Sequence, residues 1–90
     1  MALKPEVVRA LEREMAICDV AISRLMARCR ELEERYGCTT AEFQERFLSG
    51  QMGDEQDFFL WHAMAEAQQD WQATRDNVEE LTARPEIASA

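Results

Sequence analysis

Glycine and proline are scarce in these 90 residues, at three and two. That excludes a fold of many short strands, which needs turn residues about every 8–12 positions. A basic excess is also missing: ten Lys and Arg stand against eighteen Asp and Glu, for a net charge of −8. Nothing is available to displace counterions from nucleic acid or an anionic membrane, so neither is expected as a partner. No apolar run approaches the roughly 18 residues of a membrane span, and the opening Met-Ala-Leu-Lys-Pro-Glu has no signal-peptide core, which predicts a cytoplasmic chain. Cysteine is limited to Cys18, Cys29 and Cys38, an odd number without a C-x-x-C pair. Neither a zinc site nor a disulfide framework is expected from it.

What is present favours helices. Apolar residues make up 47% of the chain and charged residues 31%, with few breakers between them. Pro5 suits a first helical position, because the N–H it lacks would have no partner there, and the helical pattern then runs unbroken to Gly37. Along this first helix, expected over about 5–36, Val8, Leu11, Met15, Cys18, Ile22, Leu25, Cys29, Leu32 and Tyr36 follow at spacings of three and four. That is a heptad seam. After Gly37, Thr39-Thr40-Ala41-Glu42 reads as a capping box opening a short helix over about 40–49, with Phe43 and Phe47 on one face. Gly50 and Gly53 interrupt it, and Asp54 is the expected N-cap of a third helix over about 55–84, stopped by Pro85. The heptad count assigns Leu60, Met64, Ala67, Trp71, Thr74, Val78 and Leu81 to the seam of this last helix. Residues 85–90 are expected to be a disordered tail.

The predicted fold is therefore all-α: one domain over residues 1–84, built as a long antiparallel, coiled-coil-like hairpin with a short cross-helix connector. A chain of this size buries only about 60–65% of its unfolded surface by itself. The first helix also carries Ile17, Val20 and Ala27 away from its seam. Something should cover that second stripe, and a homodimer completing a four-helix bundle is the simplest solution. The aromatic group Phe58, Phe59, Trp61 and Trp71 reads either as core packing against Tyr36, Phe43 and Phe47 or as an interaction cluster. Because Phe58, Phe59 and Trp61 crowd the first turn of the last helix and point in three directions, at least one of them is expected at a partner. The predicted partner-binding set is thus Ile17, Val20, Ala27, Phe58, Phe59 and Trp61.

Charge divides along the chain. Residues 1–36 hold seven basic and seven acidic residues, whereas 37–90 hold three against eleven and so carry the whole −8. An acidic half of this kind reads either as a solvated face that keeps a small protein soluble or as a field that steers a basic protein partner toward it.

Chemistry is harder to find. Cys18 and Cys29 fall on the helix-one seam, where a thiol packs as a small apolar residue. His62 is the only histidine and has no Glu three residues before it. Glu31 with Glu34, Glu42 with Glu45 and Asp76 with Glu79 have the spacing of a helical Mg²⁺ site, but such pairs arise easily among eighteen acids. Ser23, Ser49 and Ser89 lack any nucleophile motif. No catalytic residue, metal or cofactor is expected, and the chain reads as a non-enzyme.

The central stretch Tyr36-Gly37-Cys38-Thr39-Thr40-Ala41-Glu42-Phe43, then Phe47, then Gly50-Gln51-Met52-Gly53-Asp54-Glu55-Gln56-Asp57-Phe58-Phe59-Leu60-Trp61 resembles a family of small helical prokaryotic proteins. Their pattern is a long charged helix, a Tyr-Gly turn, a Glu-Phe cross-helix, Gly-x-x-Gly-Asp, and Asp-Phe-Phe-x-Trp opening the last helix. Members are often encoded beside a small toxin-like protein. The resemblance covers 26 residues closely and implies the antitoxin-like half of a two-gene pair, with no catalytic residue attached. This chain departs from the pattern in its apolar, cysteine-containing first helix. The expected function is a non-catalytic protein-binding module that occludes a basic, toxin-like partner. The competing expectation is a self-assembling helical module with no heterologous partner.

Overall fold

A computed structural model describes residues 3–83. Helix α1 spans Pro5–Tyr36, α2 Thr40–Leu48 and α3 Gln56–Ala83. The predicted tail 85–90, together with Arg84 at the expected end of α3, lies outside the described residues.

Pro5 occupies the first turn of α1, where the Lys4 carbonyl accepts the N–H groups of Val7 and Val8. At the other end Gly37 takes the left-handed conformation, φ 70°, and its N–H closes onto the Glu33 carbonyl at 2.8 Å. A side chain at this position would be strained, which is why the turn uses glycine. The capping box is complete: Glu42 N–H donates to Thr39 Oγ1 at 3.1 Å, and Thr39 N–H donates to Glu42 Oε1 at 2.9 Å. Glu33 of α1 adds a second cap across the turn, its Oε2 accepting the Thr40 N–H at 2.7 Å. Helix α2 stops at Leu48, one residue before the expected Ser49. Gly50, at φ 79°, ends it in a Schellman-type pair, Gly50 N–H to Phe47 O and Gln51 N–H to Arg46 O. Helix α3 opens at Gln56 rather than Glu55, so Glu55 and not Asp54 immediately precedes it. The Glu55 carbonyl accepts the Phe58 N–H.

Helices α1 and α3 pack antiparallel, and the pairs that cross between them set the register. Arg35 and Tyr36 meet Asp57 while Asp19 meets Arg75, so the numbers in each pair add to between 92 and 94. The result is a rod of 54 × 21 × 17 Å with a radius of gyration of 17.6 Å. A compact globule of this length would have a radius of about 12 Å.

The core is concentrated at the turn end. Cys29, Leu32, Phe43, Phe58, Trp61 and Met64 form one buried cluster, with Tyr36, Phe47 and Met52 packed against it. Trp61 and Phe43 are fully buried and stack at 4.0 Å with planes 3° apart. The Trp61 indole N–H donates to Thr40 Oγ1 at 3.1 Å. Toward the open end the core thins to Cys18, Ile22, Ala65 and Val78, with Val8, Leu11 and Met15 only half-buried. Every position of the α1 seam is buried or half-buried.

The α3 seam is not the one the heptad count assigns. Its buried positions are Phe58, Trp61, Met64, Ala65 and Val78, whereas Leu60, Thr74 and Leu81 are exposed. The helix is rotated because Phe58 and Trp61 must reach Phe43 and Tyr36 at the turn, and aromatic burial there outweighs the aliphatic stripe. Each large side chain contributes about 1.5–3 kcal/mol by burial, and each ring pair about 0.5–1.5 kcal/mol more. Phe43→Ala is expected to lower stability by about 3–5 kcal/mol. Urea unfolding followed by helical circular dichroism checks this, and a loss below about 1 kcal/mol would show that the cluster does not hold the fold.

Candidate functional site

The hairpin has two unlike sides. On one, α2 lies across the turn end, where Thr40, Ala41 and Gln44 share a groove with Met26, Cys29 and Glu33 of α1 and Ala65, Gln68 and Gln69 of α3. Farther along, this side is polar. Arg75 bridges Asp19 on α1 and Glu79 one turn on, and Gln72 donates to Asp76.

The opposite side is apolar and bare. Ala16, Ile17, Val20, Ala21 and Arg24 of α1 line a shallow groove against Trp71 of α3. Beyond Trp71 the groove continues along Ala67, Asp70 and Thr74. Ile17 and Val20 are 53% and 50% exposed, and Leu60 and Leu81, toward the two ends of α3, are 45% and 46% exposed. The α3 residues are those the heptad count assigns to the internal seam. With α3 rotated, that stripe straddles the edge of the core: Met64 and Val78 turn in, Trp71 and Ala67 are half-buried, and Leu60, Thr74 and Leu81 face out. Isolated apolar side chains on a surface need no explanation; these lie together across two helices.

The six residues predicted to bind a partner therefore separate. Ile17 and Val20 belong to the bare groove and Ala27 is exposed farther along α1. Phe59 is exposed beside Phe47, with ring centroids at 5.5 Å. Phe58 and Trp61 are core residues that present no surface to a partner. Contrary to the expectation of a partner contact, both rings fill the space between α1 and α2. Leu60 and Leu81 are exposed and Trp71 and Ala67 half-buried, although the heptad count places all four in the internal seam. The signal was present in the sequence: α3 has apolar residues at 58, 61 and 65 as well as at 60, 64, 67 and 71, a band too wide for one partner helix.

Several polar side chains hold the hairpin together. Asp57 Oδ2 accepts from Tyr36 Oη at 2.7 Å and from Arg35 Nη1 at 2.9 Å, fastening the start of α3 to the end of α1. The Tyr36 hydroxyl bond, followed by the Arg35 bond, holds the Asp57 carboxyl below the usual range. The same bond raises the Tyr36 phenol. Glu42 is lowered by the Thr39 N–H that it caps. Burial pushes the Cys18 and Cys29 thiols up, so both stay protonated and behave as apolar groups. Cys38 is half-buried, and all three cysteines are free. His62 stacks on Phe47 at 4.8 Å, and its ring nitrogens meet Gln44 on α2 and Glu66 one turn along α3. Ser49 caps back onto the Arg46 carbonyl, and Ser89 lies outside the described residues. Among the described residues no three His, Cys, Asp or Glu side chains are grouped to hold a metal ion. No helix among them is long and apolar enough to cross a membrane.

No family model, curated protein or solved structure matches the chain.

Because Asp57 and Glu42 have lowered pKa values in the folded state, the stability they contribute is fully present above the ordinary carboxylate pKa of about 4. It is lost as pH falls below that through the lowered values. Asp57→Asn is expected to reduce stability at pH 7 and to flatten the fall between about pH 4 and pH 2. Urea midpoints measured across that range for both proteins test the assignment. An unchanged acid slope in the variant would remove Asp57 from it.

Proposed function

We propose that this chain is a non-catalytic protein-binding module whose partner is a basic protein, the antitoxin-like role that the Tyr-Gly turn and the Asp-Phe-Phe-x-Trp segment suggest by resemblance. The observation that carries the binding reading is the bare apolar side of the hairpin, with Ile17, Val20 and Trp71 along one groove. The nature of the partner is argued from charge. Helix α3 contains six acidic residues and one basic residue, Arg75, which is already engaged by Asp19 and Glu79. An acidic helix of this kind accelerates encounter with a basic protein and rejects acidic ones, acting on rate and selectivity more than on affinity. Function by occlusion then needs no reacting group, only a rigid helical surface laid over the partner's own site.

A second reading, a self-assembling module with no heterologous partner, is favoured by the same bare side, since an identical hairpin is one surface able to cover it. The two readings separate on capture of the tagged chain from the lysate of its own host at low and high salt, with mass spectrometry of whatever is stoichiometric. A small basic protein retained at low salt supports the first reading, and recovery of untagged copies alone supports the second. For a basic partner so captured, Glu66→Lys with Asp76→Lys is expected to slow association about tenfold at low salt, with little change near 1 M salt where charges are screened over about 3 Å. Stopped-flow association rates measure this. Equal rates for the variant and the parent chain would exclude steering by α3.

A further inference from the structure

We infer that the bare side of the hairpin is covered by a second copy of this chain, with α1 of each copy lying on α3 of the other about a two-fold axis parallel to the rod. This rests on reading that side as a protein-binding surface, and it adds the occupant and its register; the basic partner then meets the acidic outer surface of α3, which the second copy leaves open. Three observations favour an identical hairpin.

The side is large enough. The outline of the rod, 54 × 21 Å at its broadest, has room for the roughly 800 Å² that each partner contributes to a standard interface. The core is thinnest along the same stretch, where Ala21, Ala67 and Trp71 are only half-buried, so a second layer would complete it.

The two grooves are also complementary in charge. Each contains one charged residue, Arg24 on α1 and Asp70 on α3. Both are exposed, and neither is in an ion pair among the described residues. Laying α1 on its own counterpart offers Arg24 no acid from the groove, whereas laying α1 on α3 offers it Asp70.

Finally, the heights agree. Residues level with one another across the hairpin have numbers adding to between 92 and 94, as Asp19 with Arg75 and Tyr36 with Asp57 show. Arg24 and Asp70 fall on that rule. A two-fold axis along the rod preserves height, so Arg24 of each copy comes level with Asp70 of the other, twice per dimer. Val20 then lies over the neighbourhood of Trp71, and every neighbouring pair of helices in the four-helix bundle is antiparallel. The acidic outer surface of α3 stays clear of the interface.

Sedimentation of the purified chain, across concentrations reaching about 100 µM, tests this without any other protein. The expected mass is twice 10.4 kDa. Arg24→Asp and Asp70→Arg are each expected to weaken the dimer about tenfold or more, because each change acts at two symmetric places. The combined swap Arg24→Asp with Asp70→Arg is expected to recover most of that loss. Ile17→Glu with Val20→Glu is expected to yield a monomer whose helical circular dichroism is retained. A monomeric parent chain would overturn the inference and leave the side to a heterologous protein. A dimer that survives the Ile17 and Val20 changes would place the interface elsewhere, and a combined swap no better than its single variants would overturn the register while leaving self-association standing.

Discussion

The stack of Trp61 on Phe43, together with the hydrogen bond from the indole N–H to Thr40, is the interaction on which the rest of the hairpin depends. It joins α3 to α2 at the point where Thr40 is also held from α1, its N–H donating to the Glu33 carboxylate. One residue at the start of the shortest helix therefore touches both long ones. With Trp61 fixed there, Phe58 falls against Tyr36 and the Asp57 carboxylate comes within reach of the Tyr36 hydroxyl and the Arg35 guanidinium. These polar contacts are exposed or half-buried and individually modest. Their main effect is geometric, since they set the register from which the rest of α1 and α3 runs.

That anchoring has a consequence at the other end of the rod. Rotating α3 to bury Phe58 and Trp61 turns its aliphatic stripe partly outward, and the residues left inside beyond the turn are small: Cys18, Ala65 and Val78, with Ile22 the largest. The hairpin is thus well packed where it bends and thinly packed where it opens. Helix α2 is too short, at nine residues, to cover more than the bend, and it covers only one side. The uncovered groove along Ile17, Val20 and Trp71 follows from how the turn is packed.

The division of polar residues follows the same logic. The carboxylates of Glu33 and Glu42 cap the start of α2, Asp57 ties α3 to α1, and Glu79 pairs with Arg75 one turn away on α3. The seam thiols pack as apolar groups. The remaining acids of α3 leave it strongly negative, whereas α1 is nearly balanced, with six basic and seven acidic residues. An apolar side and an acidic back coexist because helical periodicity separates them by rotation about one axis.

Much of the local structure was determined by sequence alone: the three helices within a residue or so of their ends, Pro5, Gly37 and Gly50 at the boundaries, the Thr39–Glu42 box, and the full seam of α1. These rest on interactions between residues a few positions apart, so spacing reveals them. The second stripe of α1 was legible for the same reason, and Ile17 and Val20 are indeed uncovered. Tertiary structure alone decided which way α3 is turned, that Phe58 and Trp61 are core while Phe59 is surface, and that Trp71, Leu60 and Leu81 border the open side. An apolar band that wide offers several rotations of nearly equal burial. The choice among them was made by ring contacts across some twenty residues of sequence, between Thr40, Phe43 and Trp61.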